Sequence, residues 1–100
     1  MNDMRTIEPE EVRRRLDAGE TLFVVDVRED EEVAAGMIPG ARHIAMGTIP
    51  ERLDDIPRDG EVILVCRSGN RSGRVYEFLE SHGYRNTKNM TGGMLAWERL

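Results

Sequence analysis

The apolar positions fall in short blocks whose period changes from one block to the next. Val12 and Leu16 are four apart, behind a Pro9-Glu10-Glu11 run that suits a helix N-terminus, and Gly19 fits the end of that helix. Residues 8–18 therefore read as a helix. "TLFVVDV" (21–27) is apolar without alternation, the pattern of a strand buried on both faces. "EDEEVAAG" (29–36) reads as a short helix closed by Gly36, "IPG" (38–40) as a turn, "ARHIAM" (41–46) as a strand and "IPERLDDI" (49–56) as a brief helical segment. "EVILVC" (61–66) repeats the doubly buried strand pattern. Val75, Phe78, Leu79 and His82 recur at helical spacing within 70–83, and Gly83 closes that segment. "NTKNM" (86–90) reads as a short strand, and "GGMLAWERL" (92–100) as a glycine turn into a last helix. Strands and helices alternating in such short units predict an α/β fold with a mostly parallel sheet.

Composition narrows the function classes. One hundred residues suit one domain over 1–100, and 39% hydrophobic with 33% charged residues suits a soluble globular chain. The net charge of −5 argues against nucleic acid or an anionic membrane as the main partner, since both call for a basic face. No apolar run approaches the ~20 residues of a membrane span. "MNDMRTIEPEE" has no apolar signal region, so the expected compartment is the cytoplasm. Cys66 is the only cysteine, which leaves no internal disulfide, and with His43 and His82 at no close spacing it makes no zinc pattern. The acidic run "REDEEV" (28–33) reads as a solvated helix face, not a metal site.

The placement of that single thiol carries the chemistry. Cys66 ends a buried strand, and in an open parallel sheet ligands bind at the carboxyl ends of strands. Arg67, Ser68, Gly69, Asn70 and Arg71 follow it into the helix of 70–83. A helix N-terminus offers free N–H groups and positive partial charge, and a tight turn there aims several N–H groups at one point. A free thiol with a pKa of about 8.5 is only about 3% ionised at neutral pH. The turn and its two arginines are expected to lower that pKa and so to favour a nucleophilic thiolate handling an anionic substrate. Arg67 is expected at the pocket mouth, against an anionic donor. The Arg71 guanidinium is expected to turn back onto a carboxylate, Asp26 being one candidate. Asp26 and Arg28 end the other buried strand, which puts them at the same sheet edge, as a structural ion pair or as support for the loop.

Four stretches resemble the rhodanese (sulfurtransferase) family, in order and over nearly the whole chain. "VVDVRE" (24–29) is similar to the family's first core strand with its Asp-x-Arg motif. "GMIPGARHI" (36–44) resembles its Gly-His-Ile-Pro-Gly turn, with Met37 where histidine is usual. "CRSGNRS" (66–72) resembles the active-site loop, and "YEFLESHGYRNTKNMTGGMLAW" (76–97) the following helix, strand and Gly-Gly-x-x-x-Trp ending. The resemblance implies a five-stranded, mostly parallel sheet flanked by helices on both faces. It implies a persulfide on Cys66, formed from a sulfane-sulfur donor such as thiosulfate and passed to cyanide, a thiol or a partner protein, with no metal or organic cofactor. It implies that residues 67–71 cradle the persulfide.

Two other functions compete. A non-catalytic sulfur carrier or binding module of the same fold would load sulfur without turnover. A cysteine phosphatase or arsenate reductase also uses a thiolate in an anion loop, but that loop encloses one residue more than the four between Cys66 and Arg71. His43 and His82 lie on apolar patterns and read as structural, Trp97 with Met94 and Leu95 as core, and Arg74 as a rim or surface cation.

Overall fold

Val24, Val25 and the run Val62–Val65 are at most 1% exposed, and they form the two central strands of a five-stranded sheet in the computed structural model, which describes residues 3–100. The strands are β1 (Thr6–Ile7), β2 (Phe23–Asp26), β3 (Arg42–His43), β4 (Val62–Val65) and β5 (Thr87–Met90), in the order β1-β5-β4-β2-β3. Every pairing is parallel. The helices are α1 (Pro9–Asp17), α2 (Asp30–Val33), α3 (Asn70–Ser81) and α4 (Gly93–Trp97), with 3₁₀ segments at Met46–Glu51 and Leu53–Asp55. No helix among the described residues is long and apolar enough to cross a membrane.

Side chains alternate across the sheet, so a strand that is apolar throughout needs a cover on each face. Val25, Val62 and Leu64 pack with Val75, Tyr76 and Leu79 of α3 and with Ile49 and Ile56. On the opposite face Val24, Ile63 and Val65 pack with Val12 of α1 and Met94 of α4. The α/β architecture with helices on both faces follows from that double burial.

Register then decides what meets at the carboxyl edge. Asp26 pairs with Val65, and the Val27 N–H donates to the Val65 carbonyl at 2.9 Å, which brings residues 26–28 beside Cys66. The chain leaves β4 through α3 towards β5, whereas β2 and β3 lie on the other side of β4. A crevice at the carboxyl end of β4 is the consequence of that divergence.

Three details differ from the sequence reading. β1 is two residues long, too short for any periodicity to reveal it. The strand expected over 41–46 is confined to Arg42–His43, because after Met46 N–H bonds the Val27 carbonyl the chain coils into the 3₁₀ segment. His82 is exposed past the end of α3 and stacks on Phe78 with ring centroids 4.1 Å apart. Gly83, at φ +90°, turns the chain so that Tyr84 fills the core instead.

Candidate active site

Cys66 follows β4 directly and is 1% exposed. The chain reverses at once, and Gly69 makes this possible as the α3 N-cap at φ +107°, a conformation an L side chain resists. The reversal points the Gly69 N–H back at the Cys66 Sγ, 3.0 Å away. The fully buried Ser72, in the first turn of α3, brings its Oγ to 3.2 Å from the same sulfur.

The sulfur's surroundings oppose one another. Burial pushes the Cys66 thiol up, but hydrogen bonds from the Ser72 hydroxyl and from the backbone N–H groups of Ser72, Gly69 and Ser68 outweigh it and hold the thiol below its ordinary range. The turn lowers the pKa as expected, while neither Arg67 nor Arg71 is among the main contributors. The oriented donors of the loop do most of the work. Arg67 directs its exposed side chain outward, and the exposed Asn70 opens α3.

Arg71 goes elsewhere than Asp26. Its Nη1 and Nη2 donate to the two Glu32 carboxylate oxygens at 2.7 and 2.8 Å, a two-pronged bond between α3 and α2. Asp26 is already occupied. Arg28 donates to it from its backbone N–H at 3.1 Å, from Nε at 2.9 Å and from Nη2 at 2.8 Å, and also from Nη2 to the Gly36 carbonyl at 2.8 Å. Within the acidic run Asp30 and Glu31 are exposed, as a solvated helix face requires, but Glu32 is half-buried and holds the loop. The bond from Arg71, with a second from the Glu29 N–H, holds the Glu32 carboxyl down at about 2. A depressed carboxyl stabilises the fold above its unfolded pKa and loses that contribution as pH falls through the folded value. Arg71→Ala and Glu32→Gln are each expected to cost about 1 kcal/mol near neutrality, since the pair is partly solvated. Melting curves should show the gap between parent and Glu32→Gln closing as pH falls from about 4.5 towards 2, and a gap independent of pH would refute the pairing.

The loop is also held from behind. The Met94 and Leu95 N–H groups donate to the Cys66 and Arg67 carbonyls at 2.8 and 3.0 Å. A β-carbon at Gly93 would lie 2.4 Å from the Arg67 carbonyl atoms and 2.5 Å from the Cys66 carbonyl oxygen, so only glycine lets α4 come this close. Between α4 and the loop is a pocket of about 200 Å³ lined by Arg28, Glu32, Arg67, Met94, Leu95 and Glu98. Leu95, expected in the core with Met94 and Trp97, is 40% exposed on that pocket. Neither histidine bonds to the sulfur. His43 Nε2 lies 2.6 Å from the Arg28 carbonyl, and His82 Nδ1 lies 2.9 Å from that of Phe78. Arg74 is exposed and borders a different, apolar pocket with Met46 and Phe78.

Sequence reasoning missed Ser72, Glu32 and Asn89, whose Oδ1 lies 2.5 Å from Ser72 Oγ. Ser72 falls within the quoted loop and was legible as its last hydroxyl. Glu32 and Asn89 reach the site from other elements and leave no local signal.

Known proteins resemble this chain in sequence and in fold. The chain is 46% identical over 96 residues to YtwF of Bacillus subtilis, covering 96% of this chain and 92% of that protein. It is 41% identical over 93 residues to a sulfurtransferase of Allochromatium vinosum, covering 93% and 87%. The crystal structure of a rhodanese-like domain protein from Staphylococcus aureus superposes with a TM-score of 0.88 at 40% identity, over 94% of this chain and 91% of that one. The rhodanese-like domain model matches residues 8–100, and with the sheet order, the Cys66 loop and these relatives in hand, the chain belongs to the rhodanese-like domain family.

Proposed function

We propose that the chain is a sulfurtransferase that carries a sulfane sulfur as a persulfide on Cys66. The observation that carries this reading is the sulfur of the only cysteine, 3.0 Å from the Gly69 N–H and held below its ordinary pKa by the loop's donors. Relatives described as sulfurtransferases support it, among them the Allochromatium protein and a thiosulfate sulfurtransferase of Pseudomonas putida, 30% identical over 100 residues, 97% of this chain and 87% of that one.

With thiosulfate as donor, the Cys66 thiolate lone pair attacks the sulfane sulfur. The donor S–S bond breaks, and its electron pair leaves with sulfite. The new persulfide is anionic at its outer sulfur, and the N–H groups of Ser68, Gly69 and Ser72 that favour the thiolate also favour that charge. Cyanide, a thiolate or a partner protein's nucleophile then takes the outer sulfur, and the electron pair of the cysteinyl S–S bond returns to Cys66. In this reading Ser68, Gly69, Asn70 and Arg71 shape the sulfur-binding turn, and the Asp26–Arg28 pair supports its rim.

Arg67 is the donor-facing charge. It is exposed, lines the pocket and makes no ion pair among the described residues. Arg67→Ala is expected to raise KM for thiosulfate about two- to fivefold with little change in kcat, and added salt should reproduce part of that rise in the parent. Donor titrations at two ionic strengths decide it; an unchanged KM would remove Arg67 from donor binding. The reading as a whole is tested by following sulfite and thiocyanate together. Both should form catalytically, whereas one equivalent of sulfite without thiocyanate would identify a carrier.

A further inference from the structure

Ser72 has one hydroxyl hydrogen and two acceptors for it. Its Oγ lies 3.2 Å from Cys66 Sγ and 2.5 Å from Asn89 Oδ1, and a hydroxyl donates only once. The Asn89 amide is oriented by its other end. Nδ2 donates to the Gly69 carbonyl at 3.1 Å and approaches Met4 Sδ at 3.4 Å. Reversing the amide would set its oxygen against a carbonyl, so Oδ1 faces Ser72. Ser72 is fully buried and Asn89 is 7% exposed, which leaves little room for a substitute donor.

We infer that Asn89 is a positioning residue that competes with the Cys66 sulfur for the Ser72 hydroxyl, and so favours the sulfur-loaded protein over the free thiolate. The inference rests on the persulfide reading above. In the thiol state Cys66 S–H donates to Ser72 Oγ and Ser72 O–H to Asn89 Oδ1, and every group is satisfied. Ionising the thiol removes one proton from this chain. Ser72 must then turn to the sulfur and strand Oδ1, or stay on Asn89 and leave the thiolate without its hydroxyl. Attack on the sulfane sulfur ends that conflict. The charge moves to the outer sulfur, the inner sulfur becomes a weak acceptor in an S–S bond, and the Ser72 hydroxyl returns to Asn89. The charged and titratable groups around the site are Arg67 in the loop, Arg71 with Glu32, the Asp26–Arg28 pair, Glu98 on the α4 side, and Arg5 with Tyr76 beyond Asn89. None of them replaces the hydroxyl proton.

The test compares Asn89→Ala and Asn89→Val with the parent, each also in a Ser72→Ala background. The thiolate midpoint, read from ultraviolet absorbance and alkylation rate against pH, is expected to fall in both single variants. The thiolate fraction at a fixed pH below the midpoint should rise about two- to tenfold, the worth of one hydrogen bond. Above the midpoint, the ratio of loaded to free protein at fixed thiosulfate and sulfite should drop by a similar factor. Without the Ser72 hydroxyl, both effects of Asn89 should vanish. An unchanged or raised midpoint, as from a loop loosened by losing the bond to the Gly69 carbonyl, overturns the inference, and so does a shift that persists in Ser72→Ala. The parent offers a check free of substitution. The Asn89 carboxamide carbon resonance should move with the Cys66 titration and return on loading; a resonance indifferent to both counts against the competition. Failure of the parent to load sulfur defeats the persulfide reading and the loading half of this inference, while the titration arm still judges the competition for the hydroxyl.

Discussion

Cys66→Ser is expected to abolish sulfur transfer, by at least about a thousandfold, while leaving the fold intact. A serine hydroxyl is several pKa units more basic than a thiol, and oxygen is a poor nucleophile towards divalent sulfur. The loop's N–H groups remain and still find an acceptor in the serine oxygen, so no buried donor is orphaned. The replacement exchanges one buried sulfur for one smaller oxygen at a residue that is 1% exposed, which makes at most a small void. The check is a steady-state assay beside a melting curve. Substantial activity in a folded Cys66→Ser preparation would mean that another group carries the sulfur.

Asp26→Ala is expected to be the most destabilising of the changes considered. The side chains of Asp26 and Arg28 are 1% and 6% exposed, so both charges are out of water. Asp26 accepts from the Arg28 backbone N–H and guanidinium together, and nothing else in the described residues offers Arg28 a carboxylate at bonding distance. Deleting the carboxylate leaves a buried cation whose remaining partner is the Gly36 carbonyl. Breaking a buried pair in this way costs about 3–5 kcal/mol. That is a large share of the roughly 5–15 kcal/mol that holds a domain together, and it corresponds to a fall in melting temperature on the order of 20 °C. Arg28 also lines the pocket beside Arg67, so donor KM should rise even at temperatures where the variant stays folded. Denaturant unfolding of parent and variant measures the loss. A cost no greater than that of Glu32→Gln, whose pair is 28–29% exposed, would show that the burial of Asp26 and Arg28 does not govern their coupling.

What was legible in the sequence was what local pattern dictates. The runs 21–27 and 61–66 read as strands covered on both faces, their central parts are β2 and β4, and register between them brings Asp26, Arg28 and Cys66 to one edge. The turn after Cys66 announced itself through glycine and the helix that follows. The pairing of Arg71 was not legible. Asp26 and Glu32 were both within reach by chain topology, and the choice fell to Arg28, which binds Asp26 from two residues away and leaves Glu32 for Arg71 across 39 positions. The second glycine of "GGMLAW" was legible as a turn, but that it admits the backbone of Cys66 and Arg67 is a tertiary fact. Asn89 read only as part of a short strand, because nothing local marks a residue that faces a serine 17 positions earlier.

In the proposed mechanism Cys66 carries the transferred sulfur as a persulfide. Intact-mass measurement after incubation with thiosulfate, on the parent and on Cys66→Ser, tests it most directly. The parent should gain the mass of one sulfur atom, mapped by proteolysis to the peptide holding Cys66, and should lose it on adding cyanide as thiocyanate appears. Cys66→Ser should gain nothing. No increment on the parent with any sulfane donor, or an equal increment on Cys66→Ser, would contradict the account.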